Sequence, residues 1–388
     1  MNDPNLTQIA AMHRKRFGSD GTVYQAPGRV NLIGEHTDTS QGFVMPAALD
    51  LHTVSVIGPR TDSKAKIYSA NFHEQVEFDL ENLPPRPRQH WSDYAAGVLW
   101  GLRRKGTIAG FDMTLSGNVP TGAGLSSSAS VEVAVAVAVL GLAKMTLAKP
   151  EIAKICQAAE NDFIGAQSGI MDQFASCCGV KDNAILLDCR SLDYEPLPLP
   201  EEVPLVICNS MVKHSLSDGG EYNQRRAEVE EGVAILRKHY PEMQTLRDID
   251  ERKLRLCSEE MPSDAFRRCL HVVTENARVL QAATALREHD FSSFGNLMVQ
   301  AHRSMRDNYA ASCPEADTLV ELAMQQTGCY GARITGAGFG GCTVNLVAAG
   351  HAEAFVNEVR RGYREATGID AEIYRSTASD GAGPLREQ

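Results

Sequence analysis

A glycine- and serine-rich segment, PTGAGLSSSASVE at residues 120–132, constrains this chain more than any other part of its sequence. Gly122 and Gly124 permit positive backbone φ angles, so that successive N–H groups can converge on an anion. Three serines and a long apolar stretch follow, and a helix beginning there would direct its positive dipole end to the same point. The segment fits neither GxxxxGK[ST] nor GxGxxG. It therefore indicates a different phosphate cradle or, equally well from the residues alone, an N-capped helix after a glycine turn.

Two further glycine-containing segments carry ligand-type groups. In APGRVNLIGEHTDTSQGF, residues 26–43, an apolar stretch that could be a strand leads into a polar cluster around Gly34. Such a cluster suits a ligand with several hydroxyls, for example a sugar. In RITGAGFGGCTVNL, residues 333–346, four glycines separate two β-prone runs, which is typical of a tight connection where backbone approaches another group closely. Taken singly, a solvated acidic turn and a plain hairpin explain these segments at least as well.

Together the three segments resemble, in the same order, the signature motifs of the GHMP small-molecule kinases. The N-terminal segment resembles the version found in galactokinases. Further matches are GIMDQF at residues 169–174, KHSLSDGGEYNQRR at 213–226 and HRSMRDNYAASCPE at 302–315, so the similarity spans about residues 24–347. The resemblance implies a two-domain GHMP kinase fold of the α+β class, with the active site in the cleft between the domains.

Composition agrees with a two-domain globular protein. The chain has 388 residues, of which 43% are hydrophobic and 22% charged, and this is ordinary for domains with well-developed cores. A proline-rich stretch at residues 193–204 is the best candidate boundary, because proline disfavours a continuous helix or a central strand. The sequence thus predicts an N-terminal domain at 1–193, with the sugar motif and phosphate loop, and a C-terminal domain at 194–388.

Apolar patterns predict both strands and helices. The predicted strands are residues 30–33, 52–57, 111–115, 205–209 and 343–347, and the predicted helices are 91–105, 150–163, 222–239, 263–288 and 316–326. Valine recurs at every second position from Val131 to Val139, which favours a strand. The intervening residues are mostly alanine, however, so the segment could be a helix buried on all sides and capped by the serines. In the family this segment is a helix, and the resemblance predicts one here.

Charge and cysteine usage narrow the cellular context. The net charge of −11 argues against general nucleic-acid binding, which usually needs a basic face. The first 18 residues lack the apolar region of a signal peptide, and the longest apolar run, residues 133–143, is too short to span a bilayer. We therefore expect a cytoplasmic protein that contacts no membrane and needs no obligate protein partner. Ten cysteines without CxxC spacing predict reduced thiols rather than a disulfide framework or a zinc site.

The resemblance also implies an activity, namely ATP-dependent phosphorylation of the anomeric C1 hydroxyl of galactose. The products would be galactose 1-phosphate and ADP, and the reaction would be the first committed step of galactose use. Asp172 matches the catalytic aspartate, which would accept the proton of the attacking hydroxyl, and Arg29 matches a cation beside the transferred phosphoryl group. Whether Asp172 acts mainly as a base or by orienting the hydroxyl stays open.

The same resemblance assigns ligand contacts. Matches to the sugar ligands are Glu35, His36, Thr37, Asp38 and Tyr222. Matches to the nucleotide site are Ser69, Trp91, Gly122, Ala123, Gly124, Leu125, Ser126, Ser127 and Ser128. Magnesium, the expected cofactor, would be bound by Ser128 and Glu160 together with the ATP phosphates, since it prefers oxygen ligands. From the residues alone, His36 would be a structural histidine, Trp91 a core residue and Glu160 a solvated charge.

The chain departs from galactokinases at one place, because Thr39 and Ser40 stand where tyrosine and asparagine are usual. Loss of an aromatic ring beside the sugar ligands predicts a looser or altered sugar pocket. Two alternatives therefore accompany the leading assignment: a GHMP kinase for N-acetylgalactosamine or arabinose, and a non-catalytic sensor of galactose and ATP. Sensors of that kind lose part of the SSSAS loop, which is intact here, so catalysis is favoured.

Overall fold

The structure, a computed structural model, describes residues 6–212 and 220–385. Residues 213–219 of the motif KHSLSDGGEYNQRR lie outside the described residues. The strands are β1 (Thr22–Asn31), β2 (Phe43–Val44), β3 (Pro46–Pro59), β4 (Lys64–Ser69), β5 (Glu74–Asp79), β6 (Phe111–Gly117), β7 (Asn183–Asp188), β8 (Tyr194–Pro198), β9 (Leu205–Asn209), β10 (Cys329–Ile334), β11 (Cys342–Val347), β12 (Glu372–Ser376) and β13 (Gly383–Pro384). The helices are α1 (Leu6–Phe17), α2 (Asp93–Arg103), α3 (Ser127–Leu142), α4 (Lys149–Ala158), α5 (Met171–Cys178), α6 (Gly220–His239), α7 (Glu251–Leu256), α8 (Ser263–Arg287), α9 (Phe291–Ser304), α10 (Pro314–Met324) and α11 (Ala352–Thr367).

The strands of the described chain form three sheets. The largest has six strands in the order β13-β1-β3-β6-β4-β5, the second has the order β10-β11-β9-β12, and the third is β2-β7-β8. In the first sheet β4 and β6 run parallel, whereas β1 and β3 form a long antiparallel pair. The C-terminal strand β13 returns to this sheet, where Pro384 lies opposite Tyr24. The boundary predicted near residue 193 stays a prediction.

Helix α3 occupies the centre of the first core, against β1 and β3. Ten of its sixteen residues are buried, among them most of its valines and alanines, so the helix predicted over the alternating valines is confirmed. The predicted serine cap is wrong. Ser126 stands at the N-cap with a φ of 58°, and no side chain caps the helix, because the Ser126 hydroxyl is bonded to Asp172 instead. The first N–H groups of α3 thus keep their capacity to bind an anion.

Two predicted elements end differently from expectation. The strand predicted at residues 30–33 ends at Asn31, which lies opposite Pro46 of β3. Leu32 and Ile33 still form backbone hydrogen bonds with Met45, and Gly34 then turns the chain with a φ of 101°. The helix predicted at residues 150–163 is α-helical only to Ala158 and continues as the π-helical segment Ala159–Ile164. The other predicted strands and helices correspond to observed elements, with ends that differ by a few residues.

Candidate active site

An arginine–aspartate pair joins the end of β1 to the start of α5. The Nε and Nη2 atoms of Arg29 donate to the two carboxylate oxygens of Asp172 at 2.8 and 2.7 Å. This two-point geometry fixes both side chains more firmly than a single contact would. Nη1 of Arg29 donates to the carbonyl of Gly124 at 2.7 Å, and the Ser126 hydroxyl donates to Asp172. The arginine side chain is 5% exposed and that of Asp172 is 30% exposed, so the carboxylate remains open to a ligand.

The glycine–serine loop packs backbone to backbone on the C-terminal glycine loop. Gly122 and Gly124 have φ angles of 72° and 79°, which places both in the region that favours glycine. A Cβ on Gly336 would lie 3.0 Å from the carbonyl oxygen of Gly124, and one on Gly341 would lie 3.0 Å from that of Ala123. The close backbone approach predicted for the third motif is therefore confirmed.

Glu35 connects the sugar motif to the same C-terminal loop. Its Oε1 accepts a hydrogen bond from the N–H of Gly336 at 2.8 Å and lies 3.3 Å from Nη1 of Arg333. Burial raises the pKa of Glu35, while the positive charge of Arg333 opposes that rise. Oε1 of this buried carboxylate is thus committed to the protein, and Asn31 also hydrogen-bonds the carboxylate.

His36 presents a buried ring nitrogen without a protein partner among the described residues. Its ring stacks on Tyr309 at 4.2 Å between centroids and lies 5.8 Å from Tyr222. Burial lowers the pKa of His36 well below its usual value, so the imidazole is neutral at pH 7. Its Nε2 is buried and has no hydrogen-bond partner in the part of the chain that the structure describes. An unpaired buried nitrogen of this kind is costly, and a ligand hydroxyl would satisfy it.

Asp38 faces Asp172 from the other side of the sugar motif. Burial and then the charge of Asp172 raise the pKa of Asp38 to about 6. Its Oδ1 accepts from the N–H of Thr39 at 2.9 Å. Gly169 packs so closely that a Cβ there would lie 1.7 Å from Oδ2 of Asp38.

Thr37 and Tyr222 differ in what their hydroxyls contact. The Thr37 hydroxyl is buried and lies 2.8 and 2.6 Å from the carbonyl oxygens of Gly34 and Phe43, so this side chain fixes the turn. Burial raises the pKa of Tyr222 to about 12, and Arg226 hydrogen-bonds its hydroxyl. Tyr222 therefore lies beside His36, whose buried ring nitrogen is available to a ligand.

A group of buried acids lies behind Asp172. Ser168 Oγ donates to Oε2 of Glu160 at 2.7 Å, and Ser128 also hydrogen-bonds that carboxylate. Burial raises the pKa of Glu160, and the charge of Asp172 adds to the effect. Deeper still, Glu132 accepts from Nε2 of Gln173 at 3.1 Å, and its Oε1 has no partner among the described residues.

Ser128 and Glu160 offer the hard oxygen ligands that Mg²⁺ prefers, and the surrounding negative charge favours a divalent cation. No group of three or more histidine, cysteine or acidic side chains within residues 6–212 and 220–385 is arranged to hold a metal. A magnesium ion here would take its remaining ligands from nucleotide phosphates and water. These residues therefore fit the expected cofactor.

A second recess lies beside the first turn of α3. A cavity of about 130 Å³ is lined by Ser69 and Trp91 together with Ser127 and Ser128 of the phosphate loop. Trp91 stacks on Phe72 at 5.7 Å between centroids, and its Nε1 donates to Glu74 at 2.9 Å. The residues predicted for the adenine base thus lie next to the residues predicted for the phosphates.

Comparison with known proteins decides the family. The galactokinase galactose-binding signature matches residues 11–59, and the GHMP kinase N-terminal and C-terminal domains match residues 93–180 and 282–365. The chain is 45% identical over 366 residues to the galactokinase of Roseiflexus sp. (strain RS-1), covering 94% of this chain and 93% of that protein. It is 43% identical to the galactokinase of Fusobacterium nucleatum, covering 96% and 97%.

The chain belongs to the galactokinase family. The crystal structure of Lactococcus lactis galactokinase complexed with galactose has a TM-score of 0.93 to this structure, with 35% identity and coverage of 98% of this chain and 100% of that one. A mevalonate kinase crystal structure, with 18% identity and a TM-score of 0.66, shares the fold. The predicted GHMP kinase fold and the predicted kinase of the galactokinase family are both confirmed.

Several residues of the site were not singled out from the sequence. Gly169 and Gln173 flank the aspartate in GIMDQF, and Arg226 ends EYNQRR, so their motifs carried a signal although their contacts did not. Ser168 and Phe72 lie outside the motifs, and nothing in the sequence marks them.

Within the described residues no helix has the length and apolar character to cross a membrane.

Proposed function

We propose that this chain transfers the γ-phosphoryl group of ATP to the C1 hydroxyl of galactose. The observation that carries this proposal is the position of the Asp172 carboxylate. It is held at two points by Arg29, bonded to the phosphate loop through Ser126, and close enough to Asp38 to raise the pKa of that acid. Asp172 therefore lies where a sugar hydroxyl and a terminal phosphate would meet.

In the proposed complex, galactose lies between Asp172 and the cluster of His36, Asp38 and Tyr222. Neutral His36 and Tyr222 form hydrogen bonds with hydroxyls of the sugar ring. The carboxylate of Asp38 accepts hydrogen bonds from these sugar hydroxyls. The C1 hydroxyl donates a hydrogen bond to Asp172, and its oxygen attacks the γ-phosphorus of ATP. An oxygen–phosphorus bond forms, the bond from that phosphorus to the bridging oxygen of ADP breaks, and the hydroxyl proton passes to Asp172.

Arg29 has the geometry to stabilise the charge that spreads over the transferred group. Its guanidinium is positioned in advance by Asp172 and by the carbonyl of Gly124, so little reorganisation is needed during the reaction. The uncapped N–H groups at the start of α3 supply a second positive surface for the phosphates.

Magnesium is the proposed cofactor, with Ser128 and Glu160 as its protein ligands. When bound with ATP, the ion neutralises charge on the phosphate oxygens.

We also propose that the enzyme works in the cytoplasm without an obligate protein partner, and that the boundary between its two domains lies near residue 193. All ten cysteines are free thiols, which is common in reducing compartments.

An ADP-release assay across monosaccharides tests the proposal. We expect turnover with galactose, and we expect Asp172→Asn to lower kcat by at least about 100-fold, the usual contribution of a general base. Galactose binding measured by calorimetry should be retained. Asp370→Asn is the matched control, because Asp370 is exposed and its ion pair is with Arg364, which is not a residue of the proposed site.

Other outcomes identify the alternatives. Faster turnover of N-acetylgalactosamine or arabinose than of galactose would favour a kinase for a related sugar. Binding of galactose and ATP without ADP release by the wild-type chain would favour a sensor. Near-wild-type turnover by Asp172→Asn would exclude the role proposed for this residue.

A further inference from the structure

A cavity of about 540 Å³ lies beside the proposed galactose site. Its volume falls in the range of small-molecule pockets, roughly 300–1,000 Å³. Thr39, Gly169 and Arg226 are among the residues that line it, and Asp38 is the one proposed sugar ligand among its described lining residues. We call it the Thr39 cavity. It is separate from the recess at Ser69 and Trp91, with which it shares no described lining residue.

Asp38 connects the Thr39 cavity with the galactose site. This carboxylate lines the cavity and senses the charge of Asp172. Arg226 lines the cavity as well and hydrogen-bonds Tyr222 on the galactose side. A substituent on a galactose hydroxyl that is bound at Asp38 would therefore lie next to the cavity.

Thr39 is next to Asp38 in the sequence and lines the same cavity. Its hydroxyl makes only a long contact, 3.5 Å, with the carbonyl of His36. A tyrosine ring at this position would occupy space that threonine leaves free. The small side chain is thus the local feature that keeps the cavity accessible from Asp38.

Most of the charged side chains that line the described cavity are cations, although the whole chain carries a net charge of −11. The described charged residues of the cavity are three cations, Lys154, Arg190 and Arg226, and one acid, Asp38. Each cation also pairs with a carboxylate outside the cavity, at 3.0, 2.8 and 3.5 Å: Glu151, Asp248 and Glu230. The Lys154 and Arg226 pairs each include a side chain that is more than half exposed, and ion pairs of this kind are weak, so these two cations can also bind an anionic ligand. Amide side chains of Gln157 and Asn161 add hydrogen-bonding capacity.

We infer that the Thr39 cavity admits an acidic substituent on a galactose ring, so that the enzyme also phosphorylates galactose bearing a sulfate at a carbon other than C1. This inference rests on the proposed function, because it places the same ring in the same site. The cations of the wall bind the sulfate, and Thr39 leaves room for it.

Kinetics with position-specific derivatives test this inference. Galactose, its four monosulfates at C2, C3, C4 and C6, and the matching O-methyl galactoses are compared by ADP release. For at least one sulfate we expect a kcat/KM within about tenfold of that for galactose and above that of the methyl ether at the same carbon. Thr39→Tyr should lower kcat/KM for that sulfate by roughly tenfold or more, and should change that for galactose by less than about threefold.

A charge variant separates electrostatics from space. Lys154→Gln should lower kcat/KM for the accepted sulfate by about three- to tenfold and leave the methyl ether unchanged. Lys15→Gln, an exposed lysine on α1, changes the net charge equally and should have no effect. Each substitution replaces an exposed lysine, so we expect both variants to fold. Thermal unfolding verifies this.

The outcomes that overturn the inference differ from those that overturn the proposed function. If galactose is phosphorylated but no sulfate is, or if Thr39→Tyr affects galactose and sulfate equally, the cavity does not receive a substituent. If methyl ethers are used as well as sulfates and Lys154→Gln has no effect, the cavity selects by size and not by charge, and the inference is wrong. Absence of turnover with galactose itself would instead contradict the proposed function.

Discussion

Gly169→Ala should disable the galactose site while leaving the fold and the nucleotide site intact. Gly169 does not have a positive φ, so its backbone accepts alanine. The added Cβ would lie 1.7 Å from Oδ2 of Asp38, well inside the 3.4 Å at which ordinary contact begins. The added Cβ would also lie 2.2 Å from Cγ and 2.9 Å from Oδ1 of Asp38, so the whole carboxyl group should be displaced, by about 1.7 Å at Oδ2, at a cost in stability of roughly 1–3 kcal/mol.

A displacement of this size is large for a substrate ligand. Misplacement by about 1 Å can cost roughly 100-fold in rate, which corresponds to about 2.7 kcal/mol of transition-state stabilisation. We therefore expect kcat/KM for galactose to fall by about 100-fold, with the KM for ATP changed by less than about twofold. Steady-state ADP release with each substrate varied in turn measures both quantities, and circular dichroism melting verifies folding.

Gly350→Ala is the matched control, because a Cβ at Gly350 would meet open space. It should leave both kinetic constants unchanged. If Gly169→Ala folds and its kcat/KM for galactose stays within about threefold of the wild-type value, Asp38 does not hold the sugar, and the proposed galactose site is wrong.

Three further variants address neighbouring groups. Burial raises the pKa of Glu132 well above its usual value, so the native state keeps a proton that the unfolded chain loses, and stability falls as pH rises through the native pKa. Glu132→Gln should thus raise the urea-measured unfolding free energy of the metal-free protein at pH 8 but not at pH 4, and an equal gain at both would contradict this. Trp91→Ala should raise the KM for ATP by roughly tenfold because stacking on the base is lost, and the KM for galactose should not change. An unchanged KM for ATP would show that Trp91 does not bind the nucleotide. Glu160→Gln should weaken magnesium-dependent binding of a non-hydrolysable ATP analogue by at least about tenfold in calorimetry, whereas Asp162→Asn, on an exposed neighbour, should not.

Much of the fold and of the site was predictable because the motifs resemble those of the GHMP kinases. The resemblance placed Arg29 and Asp172 in one site, and the structure brings their side chains into direct contact across 143 positions of chain. Helix α3 was predictable only through the resemblance, since its valines recur with the period of a strand. Local pattern could not decide between a strand and a helix that is apolar on every side.

The remainder depends on partners that are distant in the sequence. Glu35 has one oxygen committed to Gly336, 301 residues away, and no local pattern reveals such a contact. The Ser126 hydroxyl goes to Asp172 instead of capping α3, because the residue adopts a left-handed conformation that its tripeptide context does not specify. The π-helical segment that carries Glu160 likewise reads as ordinary helix from its residues.

The contact between the two glycine loops has a consequence for biosynthesis. The phosphate loop lies in the first third of the chain, but its backbone is supported by Gly336 and Gly341, which the ribosome adds some 200 residues later. A nascent chain can therefore form α3 and every strand of the first sheet except β13 well before its nucleotide site is complete. Affinity for ATP should appear abruptly, once the segment from Arg333 onward has left the exit tunnel.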